Sequence, residues 1–394
     1  MEEKRFVYAD NSATTRVCDE AVTAMLPFYT EKYGNPSSIY PFAAESKKAL
    51  ENSRKTVADI IGANPEEIIF TGGGTESDNH AICGVARANA KKGKHIITSA
   101  IEHHAVLHTF ERLSREGFEV TYLPVDGNGT VLPETLEAAM KPGTTLVSIM
   151  AANNEIGTIQ PIKELAGIAH RHGAVFHTDA VQAVGHIDIN VREMEIDLLS
   201  VSGHKFNGPK GVGFLYIKKG TPVQRFVEGG GQEKGRRSGT ENVAGIVGMT
   251  EALRVSKEHM ESENKRLEAL RKRLEAGIMQ IPYTRLTGHP ENRLPGLCSA
   301  VIQYIEGESL VLMLGLSGIC ASTGSACSTG SLDPSHVLMA IGLPHEVAHG
   351  SLRLSLGRYS TEEDVDYILE KLPEIVKTLR AMSPVWPGKK DGTL

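Results

Sequence analysis

The sequence predicts an α/β protein with a mostly parallel sheet, helices on both faces of that sheet, and a smaller α+β domain. Between about residues 65 and 220, short segments rich in β-branched and aromatic residues alternate with segments of helical spacing. This alternation is typical of parallel strands joined by crossover helices. The chain has 394 residues, which exceeds the roughly 250–300 residues at which a single hydrophobic core stops growing. A second domain is therefore expected.

The predicted strands of the large domain come first along the chain. They cover residues 67–71, 95–99, 119–125, 145–151, 174–177, 198–201 and 212–217. Ligands of such sheets bind beyond the carboxyl ends of the strands. We therefore expect the chemistry of the protein to come from residues that directly follow each strand.

A long amphipathic helix on the surface of the protein is predicted from about residue 241 to Met279, where apolar residues recur at steps of three and four. Beyond it the pattern restarts with shorter elements at 300–304, 307–314, 352–356 and 361–382. The expected domains are a large one of residues 13–260 and a small one formed by residues 1–12 and 261–394.

Composition excludes several classes of protein. The net charge is −6 and no basic block is present, so the sequence lacks the electrostatic character of a direct nucleic-acid binder. No run approaches the ~20 consecutive apolar residues of a membrane span, and no signal-peptide core follows the first residues. The five cysteines are scattered, which argues against a disulfide framework. A cytoplasmic enzyme is expected.

Lys205 is the first candidate for catalysis. It lies in SGHKF at 202–206, after a predicted strand, and Asp179 follows the strand-like run before it. A lysine held there can form an imine with pyridoxal phosphate, while a neighbouring acid keeps the ring nitrogen of that cofactor protonated. Lys210 lies in a Gly/Pro turn and is a poorer candidate. Taken alone, the pair is more simply explained as a surface lysine and a loop aspartate.

A glycine run follows the first predicted strand, with the sequence TGGGTESDN at 71–79. Its glycines let a phosphate approach the backbone, and Thr75 and the free amides of the next helix supply donors. Ser202 and His204 beside the lysine can donate to the same phosphate. A structural glycine turn is the alternative for the run by itself.

Residues after the other strands extend the pattern. EHHA at 102–105 offers a histidine that can stack on an aromatic cofactor and transfer protons. His104 and His108 have the spacing of a metal pair, but no third ligand accompanies them, so zinc is not favoured. Asn154 and Gln182 can donate to a phenolate oxygen, although each alone is also consistent with a turn or helix-surface amide. Together the strand ends predict a pyridoxal phosphate site.

The segment ICASTGSACSTGS at 319–331 carries Cys327 among small residues, the setting of an exposed, reactive thiol. Cys320 follows an apolar run and is expected to be buried, and a disulfide or metal pair with Cys327 is not favoured. Arg353 in an alternating strand can clamp a carboxylate bidentately unless it faces outward. Asn35 is a second carboxylate contact or simply a turn residue.

These residues resemble the cysteine desulfurases of the NifS/IscS group, which are fold-type I pyridoxal phosphate enzymes of the class-V aminotransferase family. The resemblance runs from DNSATT at 10–15 to SLGR at 355–358, and SAC at 325–327 and RRSGTEN at 236–242 are its most specific motifs. It implies removal of sulfur from L-cysteine to give L-alanine and a persulfide on Cys327. The sulfur would pass to an iron–sulfur scaffold protein or another acceptor, as in tRNA thiolation.

The resemblance also implies roles for individual residues. The catalytic residues would be Cys327, Lys205 and His103. The cofactor would be held by Gly74, Thr75, His103, Asn154, Asp179, Gln182, Ser202, His204, Lys205 and Thr240, with Thr240 supplied by the partner subunit of a homodimer. The substrate would be bound by Arg353, Asn35 and Asn154. No resident metal is implied, apart from transient ligation of an iron–sulfur cluster by Cys327.

Other functions of the same fold remain open from the sequence. They are selenocysteine lyase, an aminotransferase, and a catalytically silent scaffold. An aminotransferase has no use for a mobile thiol such as Cys327, and a silent scaffold has no need of Lys205 and Asp179.

Overall fold

The computed structural model describes residues 5–324 and 334–389 of the chain. In chain order, its strands are Val7–Tyr8 (β1), Ile68–Thr71 (β2), His95–Ser99 (β3), Glu119–Leu123 (β4), Thr144–Ser148 (β5), Val175–Asp179 (β6), Leu198–Ser202 (β7), Gly213–Ile217 (β8), Thr284–Leu286 (β9), Leu297–Ile302 (β10), Ile319–Cys320 (β11) and Ser351–Ser355 (β12).

The α-helices lie between and after these strands. They are Asp19–Met25 (α1), Pro27–Thr30 (α2), Ala44–Ile61 (α3), Gly74–Asn89 (α4), His104–Arg115 (α5), Pro133–Ala139 (α6), Ile162–Arg171 (α7), Val243–Ile278 (α8), Gly307–Leu316 (α9), His336–Ala340 (α10), His345–Ala348 (α11) and Glu362–Met382 (α12).

The large sheet has seven strands in the order β2-β8-β7-β6-β5-β3-β4. Strands β7, β6, β5, β3 and β4 pair in parallel, while β8 is antiparallel to both β7 and β2. The mostly parallel sheet predicted from the sequence is confirmed. Its parallel strands deliver their carboxyl ends to one edge, which is where a ligand of such a sheet binds.

Successive residues of the sheet pack into cores on opposite faces. Phe70, Val201 and Phe214 belong to one core, which helices α3 and α7 and the first turns of α8 cover. Their neighbours Ile69 and Leu215 belong to a second core beneath α4 and α5. A strand that is buried on both faces has a continuous run of apolar residues in its sequence. The prediction of helices on both faces of the sheet is confirmed.

A smaller antiparallel sheet, in the order β12-β10-β9, forms a separate centre of packing. Helices α9 and α12 and the last turns of α8 cover it, and Val7 from β1 packs into the same core. Strand β1 pairs in parallel with β11. The predicted division after residue 260 falls inside α8, which runs continuously from one core to the other, so this boundary stays a prediction.

Two predictions about these elements need correction. The long helix was expected on the surface, but its first turns are buried, with Ala244, Ile246 and Met249 hardly accessible to solvent. The strand expected at 300–304 is Leu297–Ile302, and Tyr304 beyond it has a φ of 69°, a conformation that does not continue a strand. Among the described residues, no helix has the length and apolarity needed to cross a membrane.

Candidate active site

A cavity lies at the carboxyl ends of the parallel strands, and most of the predicted site residues line it. The structure brings together Gly74, Thr75, His103, Asn154, Asp179, Gln182, Ser202, His204, Lys205 and Arg353. The first nine end or follow strands of the large sheet, and Arg353 comes from β12 of the small sheet. The cavity is therefore built from both sheets.

Lys205 directly follows β7, at the end of a short 3₁₀ turn. Its Nζ donates hydrogen bonds to the carbonyl oxygens of Ser12, at 2.6 Å, and Ala13, at 2.9 Å. The same Ser12 carbonyl accepts a bond of 2.9 Å from Nε2 of Gln182. The backbone of the N-terminal segment therefore positions both side chains.

Asp179 is the last residue of β6 and is almost inaccessible to solvent. Its Oδ1 accepts a hydrogen bond of 2.9 Å from the amide of Val181. Burial raises the pKa of Asp179 to about 6, although the bond from Val181 and the charge of Lys205 act in the opposite direction. A carboxyl group in this state is ionised most readily when it faces a cationic partner.

Asp78 on α4 is a second buried acid that lines the same cavity. Its Oδ1 has no hydrogen-bond partner and lies 3.8 Å from Nε2 of His177. Burial and the nearby charge of Asp179 raise the pKa of Asp78 well above its ordinary value. Two acids placed so close favour a single ionised carboxylate. The sequence interpretation did not assign a role to Asp78.

His103 caps the N-terminus of α5 and faces the cavity. Its Nδ1 accepts a hydrogen bond of 3.1 Å from the amide of Ala105, which places the ring proton of the neutral form on Nε2. Burial, followed by the charge of Lys205, lowers the pKa of His103 to about 4. The ring is therefore neutral at pH 7, as suits stacking on an aromatic group.

Helix α4 opens into the cavity at its N-terminus. Gly73, which caps this helix, has a φ of 143°, a conformation that favours glycine. The side chain of Glu76 holds the glycine loop in place. Its Oε2 accepts a hydrogen bond of 2.9 Å from the amide of Gly72, and its Oε1 accepts one of 2.8 Å from Nε of Arg237. The first amides of a helix of this length favour an anion.

Two basic residues lie near this helix N-terminus. Nδ1 of His204 hydrogen-bonds with Oγ1 of Thr14 at 3.1 Å, and burial lowers the pKa of His204 to about 4. Lys210, the less favoured lysine of the sequence interpretation, also lines the cavity. It lies in the turn between β7 and the antiparallel strand β8, where it can contribute positive charge.

Arg353 is buried on β12, so the outward-facing alternative is excluded. Its Nη2 donates to Oδ1 of Asp10 at 2.9 Å, and its Nη1 donates to the carbonyl oxygen of Asn154 at 3.1 Å. Its Nε is buried without a hydrogen-bond partner. The guanidinium is thus fixed at the cavity, and each Nη group carries a second N–H that can donate to a carboxylate.

Two predicted residues are not part of this assembly, and a third is not among the residues that the structure describes. Thr240 lines a neighbouring cleft behind the glycine loop. Asn35 is exposed, and its Oδ1 accepts the amide of Ser37 at 2.9 Å, the turn that was the plainer interpretation of this residue. Cys327 lies outside the described residues. Cys320 was expected to be buried, but it is only partly buried.

The missed residues gave little signal in the sequence. Ser12 and Ala13 act through carbonyl oxygens, which every residue has. Asp10 reaches Arg353 across 343 positions of the chain. The motif DNSATT, which carried part of the family resemblance, was the only signal that could have directed attention to this segment.

The donor set fits pyridoxal phosphate. A helix N-terminus with neighbouring hydroxyl and basic groups suits its phosphate, and the buried carboxyl of Asp179 suits its ring nitrogen. In the part of the chain that the structure describes, a metal has no comparable set of ligands. The His104 and His108 rings lie 5.0 Å apart, yet within residues 5–324 and 334–389 no cluster of three potential ligands is arranged to hold a metal ion.

Comparison with known proteins agrees with this geometry. Residues 7–368 match the aminotransferase class-V family. The chain is 58% identical over 385 residues to cysteine desulfurase IscS of Methanosarcina thermophila, a match that covers 98% of this chain and 95% of the relative.

Solved structures give the same result. A NifS-like protein superimposes with a TM-score of 0.90 and 43% identity, covering 95% of this chain and 100% of its own. The structure of SspA in complex with cysteine superimposes with a TM-score of 0.80 and 36% identity, covering 90% of this chain and 100% of its own. The chain therefore belongs to the aminotransferase class-V family and, within it, to the pyridoxal phosphate-dependent cysteine desulfurases of the NifS/IscS group.

Proposed function

We propose that this chain removes the sulfur of L-cysteine, giving L-alanine and a persulfide on Cys327. The observation that carries the proposal is the meeting of Lys205, Asp179 and Arg353 at one cavity. This set supplies an amine, a buried acid and a guanidinium that can bind an amino-acid carboxylate.

Arg353 would bind the carboxylate of the substrate. Its two Nη groups already contact Asp10 and the carbonyl of Asn154, so the guanidinium is held in one orientation before cysteine arrives. Pre-organisation of this kind reduces the entropy that binding must overcome. Asn154 belongs to the same arrangement and would contact both substrate and cofactor. Asn35 is a weaker candidate because its Oδ1 already accepts the amide of Ser37 in a local turn.

Pyridoxal phosphate, when bound, supplies the electron sink that stabilises negative charge at the α-carbon of cysteine. Gly74, Thr75, Ser202 and His204 would hold its phosphate, with Thr240 of the partner subunit. Asp179 would keep the ring nitrogen protonated, and Gln182 would donate to the ring oxygen. His103 would stack on the ring. Nζ of Lys205 would bind the cofactor and then accept the α-proton.

Cys327 would accept the sulfur. Its thiolate forms a bond to the substrate sulfur, the bond between that sulfur and the β-carbon breaks, and the β-carbon keeps the electron pair and takes up a proton. The products are alanine and a persulfide, so no external oxidant is needed. An acceptor then receives the terminal sulfur.

The biological setting follows the names of the relatives, which are cysteine desulfurases IscS and NifS. We infer a cytoplasmic homodimer that delivers sulfur to an iron–sulfur scaffold protein or to another acceptor, such as the tRNA thiolation machinery. The partner subunit would complete each site with Thr240, since in one chain this residue lines the cleft behind the glycine loop.

Mass spectrometry tests this function directly. After incubation of the enzyme with L-cysteine in the absence of reductant, the peptide that contains Cys327 should gain one sulfur. Cys327→Ala should keep the visible absorbance of the cofactor and lose alanine release. If the variant still released alanine from cysteine at the wild-type rate, Cys327 would not be the sulfur acceptor. Cys320→Ala is the matched control and should retain the reaction.

A further inference from the structure

Glu155 is a buried acid for which the reaction above has no role. It follows Asn154 in the chain and is only 6% exposed. Oδ1 of Asn153 accepts its amide at 2.8 Å and the amide of Ile156 at 3.0 Å, so the backbone at Glu155 is fixed. An acid is almost never buried unless it is paired or hydrogen-bonded.

The carboxylate of Glu155 contacts the chain on both sides of residues 325–333, by a hydrogen bond on one side and by close packing on the other. On the far side, Oγ of Ser335 donates a short hydrogen bond to Oε2 of Glu155. On the near side, Gly324 approaches so closely that a Cβ atom at this position would lie 2.6 Å from Oε2. The carboxylate thus lies between the residue before this segment and one that closely follows it.

Ser335 transmits this contact to α10. Its Oγ accepts the amides of Val337 at 3.1 Å and Leu338 at 3.3 Å, so the residue is also the N-cap of the helix. The chain of bonds therefore runs from the first amides of α10, through the hydroxyl, to Glu155. An N-cap that is itself held by a buried acid fixes the start of the helix against the sheet domain.

The flanking residues are also tied to other parts of the candidate active site. The amide of Ser322 donates to the carbonyl of Arg353 at 3.1 Å, and the amide of Arg353 donates back at 2.7 Å. Nε2 of His336 hydrogen-bonds with the carbonyl of Glu102 at 2.9 Å, and Glu102 precedes His103. Glu155 therefore belongs to a set of contacts that connects both flanks of residues 325–333 to residues of the substrate and cofactor sites.

We propose that Glu155 is a positioning residue for sulfur transfer: its carboxylate accepts a hydrogen bond from Ser335 and packs against Gly324, and thereby positions both flanks of residues 325–333, the segment that contains Cys327, beside Asn154. The inference rests on the proposed function of Cys327. It assigns Glu155 to the transfer of sulfur and not to the binding of cofactor or cysteine, because its side-chain contacts are with Gly324 and Ser335 while Asn154 and Arg353 face the cavity.

The state of the carboxyl group is consistent with this role. Burial raises the pKa of Glu155 to about 7, while the hydrogen bond from Ser335 and the charge of Arg353 act in the opposite direction. Both of these therefore favour the ionised carboxylate. An ionised acceptor forms a stronger hydrogen bond than a neutral one.

The test compares Glu155→Gln and Ser335→Ala with the wild-type holoenzyme. Limited proteolysis followed by mass spectrometry measures cleavage within residues 325–333. Both variants should be cleaved about tenfold faster, since Glu155→Gln replaces a charged acceptor by a neutral one and Ser335→Ala removes the donor, and a hydrogen bond to a charged group changes a local opening equilibrium by that order. Thr361→Ala is the matched control: it removes the N-cap of α12, whose Oγ1 accepts the amide of Asp364, far from Glu155 along the chain.

A second measurement separates positioning from a general loss of structure. The cofactor spectrum and the spectral change on adding cysteine should match those of the wild type, while alanine release in a single turnover should slow about tenfold. The double variant should be no worse than Ser335→Ala, because both substitutions remove one contact. If Glu155→Gln does not fold, Ser335→Ala still removes the bond from the other side.

Two results would overturn the proposal. One is wild-type cleavage together with wild-type alanine release in both variants. The other is loss of the cysteine-induced spectral change, which would assign Glu155 to substrate or cofactor binding. If the wild type itself forms no persulfide on Cys327, the proposed function fails, and the cleavage rates alone then decide whether Glu155 fastens the segment.

Discussion

At the scale of single residues, Asp179 shows how the site opposes the stability of the fold. Burial raises its pKa to about 6, whereas an aspartate in an unfolded chain titrates near 3.9. The folded chain therefore holds the proton more tightly than the unfolded chain does. As pH rises from about 4 to about 6, the free energy of unfolding falls, and the loss persists at higher pH.

Asp179→Asn should remove this pH-dependent cost in the cofactor-free enzyme. The variant should exceed the wild type in free energy of unfolding by on the order of 2–3 kcal/mol at pH 8, and by much less at pH 4.5. Urea unfolding at the two pH values measures the difference. The same variant should bind pyridoxal phosphate more weakly, since an amide does not keep the ring nitrogen protonated.

Equal unfolding free energies at pH 8 would contradict this prediction, because they would mean that Asp179 keeps an ordinary pKa in the folded chain. Tighter cofactor binding by Asp179→Asn would contradict its assigned function. The two measurements are independent, so the cost to stability and the benefit to cofactor binding are tested separately.

At the scale of elements, the edge strand β2 is closed by an ion pair. Arg54 of α3 donates to the carbonyl of Ile68, and Glu233 accepts the amide of Phe70 at 3.0 Å. Arg54 and Glu233 also pair with each other through bonds of 2.8 and 2.7 Å. Both side chains are mostly buried. The carbonyl of Ile68 and the amide of Phe70 are thereby hydrogen-bonded within the chain, and are not available to pair with a strand of another molecule.

Removing one member of this pair should be more harmful than removing both. Glu233→Ala leaves the Arg54 charge and the Phe70 amide unpaired, and should lower the free energy of unfolding by about 3 kcal/mol. The double substitution Arg54→Met with Glu233→Leu should cost less than the sum of the two single substitutions. Urea unfolding of the wild type, Arg54→Met, Glu233→Leu and the double variant measures this coupling.

The exposed pair of Arg87 and Glu116 is a matched control, with bonds of 2.8 to 3.2 Å. Glu116→Ala should cost less than about 1 kcal/mol because water screens both charges. A similar small loss for Glu233→Ala would show that the ion pair does not secure the edge of β2.

Elements with a strong periodic pattern were predicted closely from the sequence. Strand β3 has the predicted bounds. Helix α8 begins within two residues of its predicted start and ends within one residue of its predicted end. Long or fully buried apolar patterns are the ones that a sequence shows most clearly. Strands β1 and β11 have two residues each, which is too short for any pattern. Their pairing joins positions about 300 residues apart, and local sequence carries no information about such a contact.

The residues of the candidate site also fall into two groups, those that the sequence predicted and those that it did not. Lys205, Asp179 and Gln182 were predictable because each follows a strand that the sequence identifies. The partners of Lys205 were not, because they are the carbonyl oxygens of Ser12 and Ala13. Asp78 was missed because it lies on the buried face of α4, where an acid has no periodic signature.

At the scale of the whole molecule, the N-terminal helices leave an apolar surface uncovered. The exposed residues between positions 22 and 42 include Leu26, Tyr29, Tyr33, Ile39, Tyr40 and Phe42. Ile39 is completely exposed. Single apolar residues on a surface are ordinary, but a concentration of large ones indicates an interface. We expect this surface to contribute to the proposed homodimer.

Ile39→Glu should therefore weaken the dimer. A carboxylate at an apolar interface loses its hydration without gaining a partner, so the dissociation constant of the dimer should rise by about a hundredfold or more. Sedimentation velocity over a range of protein concentrations measures this change. Cofactor binding should weaken in parallel, because the proposed site needs Thr240 of the partner subunit.

Leu312→Glu is the matched control, since Leu312 on α9 is also largely exposed and belongs to the small-sheet side of the molecule. It should leave both the dimer and cofactor affinity unchanged. If Ile39→Glu sediments as the wild type does, residues 22–42 are not the dimer interface. If it becomes monomeric and still binds pyridoxal phosphate with wild-type affinity, each chain holds a complete cofactor site and Thr240 has no role across the interface.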